Sequence, residues 1–165
     1  MPIECIANDY FVSGQSDCGK RRQRNEDRLL INASAGLVLV ADGMGGHPDG
    51  DKASEFAVRT LDALIEKYLP LQTAPSESSS WNMLVDVFRP RSHTPNITLN
   101  ASLIRDVLIQ TNIQLYQQNQ CQGFFDGQGM GTTLVGCRID AHARSLMLFH
   151  VGDSRCYRLR GGQLQ

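Results

Sequence analysis

Residues 37–47 read Leu-Val-Leu-Val-Ala-Asp-Gly-Met-Gly-Gly-His, a short apolar run that ends in an acid and a glycine-rich loop. The run is rich in branched side chains, which predicts a β-strand buried on both faces. Asp42 then stands at the end of the strand, where binding sites commonly form. A carboxylate in that position needs a compensating charge, because an unpaired charge is costly to move out of water. We therefore predict that Asp42 is a metal ligand.

The glycines after Asp42 allow two interpretations. Gly43, Gly45 and Gly46 lack a Cβ, so the backbone can approach a ligand closely and a bare carbonyl can coordinate a cation. An Asp-Gly pair also makes a common turn between a strand and the next element, and for an isolated pair the turn is the preferred interpretation. The rest of the sequence has to distinguish between a metal site and a turn.

Composition and charge exclude several classes of protein. The chain has 165 residues, of which 41% are hydrophobic, as expected for one domain with its own core. Sixteen basic residues nearly balance seventeen acidic ones, so no basic surface for nucleic acid is indicated. The given N-terminus has no basic stretch followed by an apolar segment, and no apolar run approaches a membrane-spanning length. We expect a soluble cytoplasmic protein without a nucleic-acid or membrane partner.

The cysteines give no sign of a zinc site or a redox motif. They are odd in number and widely spread, and no Cys-x-x-Cys pair occurs. We expect reduced and mostly buried thiols. The five residues are Cys5, Cys18, Cys121, Cys137 and Cys156.

Two segments have apolar residues at helical spacing. A helix over 52–69 must pack one face on something apolar, and Pro70 is expected to end it. A second helix is predicted over 101–118, with Asn100 as its cap. The segment at about 70–100 is Ser-rich or lacks a periodic pattern, and we interpret it as a variable inserted or mobile surface segment.

Short branched or aromatic runs predict the strands. Two strands, two helices and several further strands favour an α+β fold in which helices stack on antiparallel sheets. Gly161-Gly162 predicts a hairpin, but only three residues follow it, so we expect a domain that is truncated at its C-terminus. The predicted strands lie at 10–12, 29–31, 37–41, 132–139, 145–151 and 155–159.

Three aspartates stand beside strand-like runs, namely Asp27, Asp42 and Asp153, with Glu26 next to the first. Each one alone is usually a turn residue or half of a surface ion pair. They can converge if their strands share a sheet, and the setting at strand ends favours this interpretation. Carboxylate oxygens favour Mg²⁺ or Mn²⁺, and the scattered His and Cys residues argue against zinc or copper.

Arg22 lies in a basic loop shortly before Asp27. One arginine from a basic run is usually solvated surface. A guanidinium, however, offers a planar fork of donors that matches phosphate oxygens. Because the loop leads toward the predicted metal site, we expect a phosphate to bind between Arg22 and the metal ions.

The sequence does not match the common nucleotide-binding motifs or the motifs of serine and cysteine nucleophiles. Gly45-x-x-x-x-Gly50 is followed by Asp-Lys instead of Gly-Lys-Ser/Thr, so the P-loop pattern is absent. Pro48 stands where the dinucleotide fingerprint requires glycine. No serine has a Gly-x-Ser-x-Gly setting, and no cysteine lies in a phosphate-cradling loop. A metal-activated water is therefore the best candidate for the nucleophile.

Four motifs together resemble the metal-dependent PPM-type (type 2C) protein serine/threonine phosphatases, particularly the bacterial members. They occur in the order of that family. The resemblance implies a four-layer α-β-β-α sandwich of two antiparallel sheets flanked by helices, incomplete at the C-terminus. Residues 1–165 would form the N-terminal two thirds of this single domain. The motifs are Ser16-Asp17-x-Gly19-x-x-Arg22-x-x-Asn25-Glu26-Asp27, Val40-Ala41-Asp42-Gly43-Met44-Gly45-Gly46-His47, Gly129-Met130-Gly131-Thr132-Thr133-Leu134-Val135 and His150-Val151-Gly152-Asp153-Ser154-Arg155-x-Tyr157.

The resemblance also implies roles for individual residues. Asp42 would bridge two Mn²⁺ or Mg²⁺ ions, and Asp153 would belong to a third, weaker metal site. Arg22 would bind the substrate phosphate, and His47 would hydrogen-bond the substrate or assist protonation of the leaving group. The implied metal ligands are Glu26 and Asp27 through metal-bound waters, Gly43 through its carbonyl, and the carboxylates of Asp42 and Asp153.

The implied function is hydrolysis of phosphoserine and phosphothreonine in proteins by a metal-activated water. The partners would be phosphorylated proteins, the products of a Ser/Thr kinase in bacterial signalling. Family members also carry a later Ser-Asp-Gly motif and an Asp-Asn pair that complete the metal shell, and this sequence lacks both. One alternative is therefore a truncated, catalytically impaired phosphoprotein-binding or regulatory module. Another is a phosphohydrolase for small molecules, since surface loops decide the substrate.

Overall fold

A computed structural model of the chain describes residues 3–7, 10–44, 49–68, 99–125, 127–141 and 143–165. The strands within these ranges are β1 (Ile3–Ala7), β2 (Tyr10–Ser13), β3 (Asp27–Asn32), β4 (Leu37–Asp42), β5 (Leu134–Asp140), β6 (Ser145–Val151), β7 (Leu159–Arg160) and β8 (Gln163–Leu164). The helices are α1 (Gly50–Tyr68) and α2 (Ala101–Cys121).

The strands form three antiparallel groups. A four-stranded sheet has the order β3-β4-β5-β6, while β1 pairs with β2 and β7 pairs with β8. The turn between β7 and β8 uses Gly161 (φ 57°) and Gly162 (φ 77°), a left-handed backbone that suits glycine. The predicted α+β class and the predicted hairpin are confirmed.

Both helices lie on the same side of the four-stranded sheet. α1 contacts β3 and β4, and α2 packs on α1. Because side chains alternate along a strand, every second residue of β4 faces the helices, and these residues are buried. The shared core includes Leu37, Leu39, Leu61, Ile65, Ile104 and Val107.

The two predicted helices are confirmed. α1 begins two residues before the predicted start, while residue 69 and Pro70 lie outside the described ranges. Asn100 caps α2, since its side chain accepts a hydrogen bond from the Leu103 backbone N–H at 2.9 Å. α2 continues three residues past the predicted end at 118 and stops before Gly123, whose φ of 81° cannot continue a helix.

The strand predictions succeed except at the end of the chain. The strand at 145–151 has the predicted bounds, and β5 begins two residues later than predicted. The strand predicted at 155–159 is wrong, because only Leu159 and Arg160 form β7. Residues 155–157 have no strand beside them among the described residues, and branched or aromatic side chains alone do not make a strand.

The prediction that β4 is buried on both faces is also wrong for the described residues. The side turned away from the helices, which we call the open face, leaves Val40 46% exposed. A strand is buried on both faces only where a second layer covers it, and the described helices cover one. By alternation, the open face carries Leu29, Ile31, Val38, Val40, Val135, Cys137, Leu146 and Leu148.

Substitutions of one leucine on each face of the sheet should have different effects on stability. We expect Leu148→Lys to reduce binding of a hydrophobic dye and self-association while changing the free energy of unfolding by less than about 0.5 kcal/mol, because Leu148 is exposed. Leu39→Ala on the helix side should cost about 2–5 kcal/mol, because Leu39 is buried. Dye fluorescence and urea unfolding measure both effects. Equal destabilisation by the two substitutions would show that the open face is covered in solution.

Three further expectations have different outcomes. The segment at about 70–100 lies almost wholly outside the described residues. Cys18, Cys121, Cys137 and Cys156 are free thiols, but none is fully buried, so the expectation of mostly buried cysteines is wrong for these four. Neither described helix is long and apolar enough to cross a membrane.

Candidate metal and phosphate site

Two acids meet at one end of the four-stranded sheet. Asp27 begins β3 and Asp42 ends β4, and the antiparallel register makes them direct cross-strand partners. Alternation places both on the open face, in line with Leu29 and Val40. Asp27 and Asp42, which stand at opposite ends of the β3–turn–β4 segment in sequence, are therefore neighbours in space.

The pKa of Asp42 shows how crowded this position is. Burial raises the pKa of the Asp42 carboxyl above its ordinary value, and a hydrogen bond with Asp27 together with the negative charge of Asp27 raises it further. The charge of Asp153 acts in the same direction, whereas the guanidinium of Arg22 lowers the pKa. The predicted acids and the predicted arginine therefore act on the same carboxyl.

The donor set fits a hard divalent cation only in part. In the described ranges, no three His, Cys, Asp or Glu side chains come close enough together to hold a metal ion. The carboxyl groups of Asp27 and Asp42 nevertheless lie within hydrogen-bonding distance of each other. A divalent cation between them would remove the like-charge repulsion that now raises the pKa of Asp42.

Hydrogen bonds to the Glu26 carbonyl hold the end of β4 against α1. The Glu26 carbonyl accepts hydrogen bonds from the Gly43 N–H at 3.1 Å and from the buried Ser54 hydroxyl of α1 at 2.6 Å. A Cβ on Gly43 would lie 2.1 Å from the carbonyl oxygen of Gly50, closer than any real contact. Position 43 is therefore glycine because the first turn of α1 occupies the space of a side chain.

The same strand end is held from the other side by the segment before β5. The Thr133 N–H donates to the Asp42 carbonyl at 2.8 Å, and the Met44 N–H donates to the Gly131 carbonyl at 3.0 Å. The Gly-Thr-Thr sequence thus extends the pairing of β4 with β5 past Asp42. Hydrogen bonds on both sides leave Asp42 little backbone freedom.

The loop that leads to Asp27 is organised by its polar side chains. The Asp17 carboxylate accepts the Gly19 N–H at 2.7 Å, which stabilises a turn in which Gly19 has a φ of 70°. Asn25 donates to the Ser16 hydroxyl at 2.7 Å and accepts the Asp27 N–H at 3.0 Å. Asn25 therefore ties the start of the loop to the first residue of β3.

Arg22 lies beside the acids and remains open to solvent. Its Nη1 is 3.9 Å from Oε2 of Glu26, and 58% of its side chain is exposed. An exposed pair of this kind contributes little to stability, so it restrains the guanidinium weakly. Arg22 can therefore turn its donors toward an anion near Asp42.

Asp153 is exposed and lies in a loop fixed to the sheet. Gly152 has a φ of 95°, and a Cβ at this position would lie 3.0 Å from the Thr133 side chain. Next to the acid, the Ser154 hydroxyl shares a hydrogen bond of 2.5 Å with the Thr133 hydroxyl. The loop brings the charge of Asp153 within reach of Asp42.

The positioning roles of three residues were not predicted from the sequence, and one predicted site residue is outside the described ranges. Asn25, Ser54 and Ser154 make hydrogen bonds that hold the segments around the acids. Asn25 and Ser154 stand next to candidate ligands within the motifs, whereas Ser54 has no such signal in the sequence. His47 follows residue 44, where the described segment ends, and it stays a prediction.

Comparison with known proteins shows the family to which the chain is related. The family model for protein phosphatase 2C matches residues 15–165. The serine/threonine phosphatase stp of Listeria monocytogenes serovar 1/2a is 33% identical over 156 residues, which cover 92% of this chain and 50% of that protein. The chain thus spans about half the length of this relative.

Solved structures show the same likeness. The structure of PppA from Pseudomonas aeruginosa superposes with a TM-score of 0.59 at 34% identity, over 92% of this chain and 52% of that one. The catalytic domain of the phosphatase PstP in complex with two manganese ions gives a TM-score of 0.58 at 28% identity, over 91% of this chain and 51% of that one. With a family model matched along nearly its whole length, the chain belongs to the protein phosphatase 2C family.

Proposed function

We propose that the chain carries the phosphate-binding and part of the metal-binding apparatus of a phosphatase that hydrolyses phosphoserine and phosphothreonine in proteins. The observation that supports this best is the cross-strand pair of Asp27 and Asp42, with Arg22 acting on the same carboxyl. The relatives named above are serine/threonine phosphatases. The substrates would be phosphoproteins produced by a Ser/Thr kinase.

Mn²⁺ or Mg²⁺ would be held by the acids at this end of the sheet. Asp27 and Asp42 supply the paired carboxylates, with Glu26, the Gly43 carbonyl and Asp153 as further oxygen donors. When bound, the metal would supply Lewis-acid activation of water and neutralisation of phosphate charge. Two manganese ions in the related PstP domain support this choice of metal.

The residues of the chain itself bind and orient the phosphate. Arg22 donates to the phosphate oxygens through its planar fork, and its exposure lets a protein substrate reach it. The weak pair with Glu26 leaves the guanidinium able to turn its donors toward a phosphate near Asp42. His47 is our candidate for hydrogen bonding to the substrate and for protonating the leaving serine or threonine oxygen.

Arginine variants test this proposal. We expect Arg22→Ala to lower kcat/KM for Mn²⁺-dependent hydrolysis of a phosphothreonine peptide roughly 100-fold, because a charged donor to the transferred phosphate is lost. Arg24→Ala is the matched control, since Arg24 is also exposed in the same loop but pairs with Asp51 at 3.9 Å. Arg24→Ala should change kcat/KM less than about 3-fold. Equal losses in the two variants would contradict a specific role for Arg22.

A non-catalytic phosphoprotein-binding module is the second candidate. It is favoured by the finding that three metal-ligating side chains do not come together within the described part of the chain. The same phosphopeptide distinguishes the two functions when binding is followed by calorimetry alongside phosphate release. Binding that needs Arg22 without any Mn²⁺-dependent release would support the module over the enzyme.

A further inference from the structure

The open face carries two thiols that the proposed function does not use. Cys137 lies on β5, and Cys156 lies in the segment between β6 and β7. Both line one cavity of about 250 Å³, together with Val135 and Arg155. The two cysteines are 19 positions apart in sequence, so the fold brings them to the same cavity.

A hydrogen bond holds the segment that carries Cys156 against β5. Ser154 is hydrogen-bonded to Thr133, the residue directly before this strand. Since side chains alternate, Thr133, Val135 and Cys137 lie on the same side of the strand. Arg155 and Cys156, which follow Ser154, line the same cavity as Val135 and Cys137, so this segment lies on the side of β5 that carries Cys137.

The two thiols differ in their access to solvent. Cys156 is exposed, whereas Cys137 is only partly accessible. Burial raises the pKa of the Cys137 thiol above its ordinary value, and a negative charge on Cys156 would raise it further. Because both residues line the same cavity, they lie near each other.

We propose that Cys137 and Cys156 are a redox-sensitive pair that closes to an intramolecular disulfide when the protein meets a hydroperoxide. The exposed Cys156 sulfur attacks the peroxide O–O bond and becomes a sulfenic acid, and one oxygen leaves as water or alcohol. The Cys137 sulfur then attacks the sulfenic sulfur, forms the S–S bond and releases water. Two thiols lose two electrons and two protons, and the peroxide is reduced.

The disulfide would join the loop of Asp153 to the sheet by a second link. Ser154 already bonds to Thr133, and a bond from Cys156 to Cys137 would fix the segment at both ends. The loop would lose freedom in the oxidised protein. Oxidation would thus change the mobility of an acid that acts on Asp42.

Mass spectrometry of the whole 165-residue chain tests the pair. The Cys121→Ser chain is treated with one equivalent of hydrogen peroxide, alkylated and digested with trypsin, since Cys121 and Cys137 share a tryptic peptide. We expect the tripeptide Cys156-Tyr157-Arg158 to be linked to the peptide that contains Cys137, with a mass about 2 Da below the sum of the two thiols. Cys18 should stay alkylated.

Hydrogen exchange supplies a second measurement. We expect amides 153–158 to exchange at least 10-fold more slowly after oxidation, an effect that Cys156→Ser abolishes and dithiothreitol reverses. The proposal is overturned if Cys156 advances to sulfinic acid while Cys137 remains alkylatable, or if the disulfide joins two chains. It is also overturned if the link forms but exchange is unchanged. These readouts do not involve phosphatase activity, so the proposed function stands or fails separately.

Discussion

Replacing Asp42 with asparagine is expected to weaken Mn²⁺ binding roughly 100-fold or more and to abolish metal-dependent phosphate hydrolysis. The change removes one of the two paired carboxylates, and even an outer partner of a metal ligand is often worth about 10–100-fold in affinity. Calorimetric titration with Mn²⁺ and hydrolysis of a phosphothreonine peptide measure the two losses. Asp106→Asn, at an exposed acid of α2, is the matched control and should change neither.

The same substitution should stabilise the metal-free protein near neutral pH. The pKa of Asp42 is raised in the folded chain, so the folded state binds its proton more tightly than the unfolded state does. Ionisation therefore costs stability as pH rises from the ordinary pKa of an aspartate through the raised value. Asparagine cannot ionise, so the variant should have the higher melting temperature at pH 7 without metal.

The stabilisation should disappear at low pH. Below the ordinary pKa of aspartate, Asp42 is protonated in both states and contributes no difference. Melting curves of the two proteins from pH 3 to pH 7 in a chelating buffer would show the gap opening as pH rises. A difference in melting temperature that does not change with pH, or a less stable variant at pH 7, would contradict the raised pKa of Asp42.

Gly43→Ala is expected to destabilise the fold by about 3 kcal/mol or more and to remove Mn²⁺ binding at the same time. The new Cβ would lie 2.1 Å from the Gly50 carbonyl oxygen and 2.9 Å from the Glu26 carbonyl oxygen. Both neighbours are backbone, so β4 and the first turn of α1 would have to separate. Asp42 and Glu26 would move apart with them. Urea unfolding gives the stability change.

Comparison with Gly19→Ala distinguishes the effect of a steric clash from the effect of backbone strain. Gly19 has a φ of 70°, but nothing lies within 4 Å of its missing Cβ. Alanine there should cost only about 1–2 kcal/mol, the price of a left-handed residue. If Gly43→Ala were no more destabilising than Gly19→Ala, the contact between β4 and α1 would have to be looser than the structure shows.

Much of the fold could be predicted from local pattern. The apolar spacing of α1 and α2 gave their positions to within a few residues, because the helical period repeats several times in each. β1 was not predicted, and 155–159 was predicted as a strand although most of it is not one. Strand formation depends on a neighbouring strand, which the sequence around a residue does not reveal.

The candidate site was predictable in its members more than in its geometry. Asp42, Asp27 and Arg22 were selected by residue type and setting, and the structure brings them to one end of the sheet. The positioning roles of Ser54 and Ser154 were not predicted, because their hydrogen bonds join segments more than 20 residues apart. A serine that positions a distant backbone looks in sequence like any other polar residue.

Local sequence pattern was enough to predict the two helices and the apolar strand before Asp42, and to select candidate side chains for a metal and a phosphate. Those properties depend on periodicity and residue chemistry, which are local. The fold adds that Asp27 faces Asp42, that α1 leaves no room for a side chain at Gly43, and that the described residues leave one face of the sheet partly exposed. Each of these depends on the register of strands and the packing of a helix, which arise between segments distant in the chain.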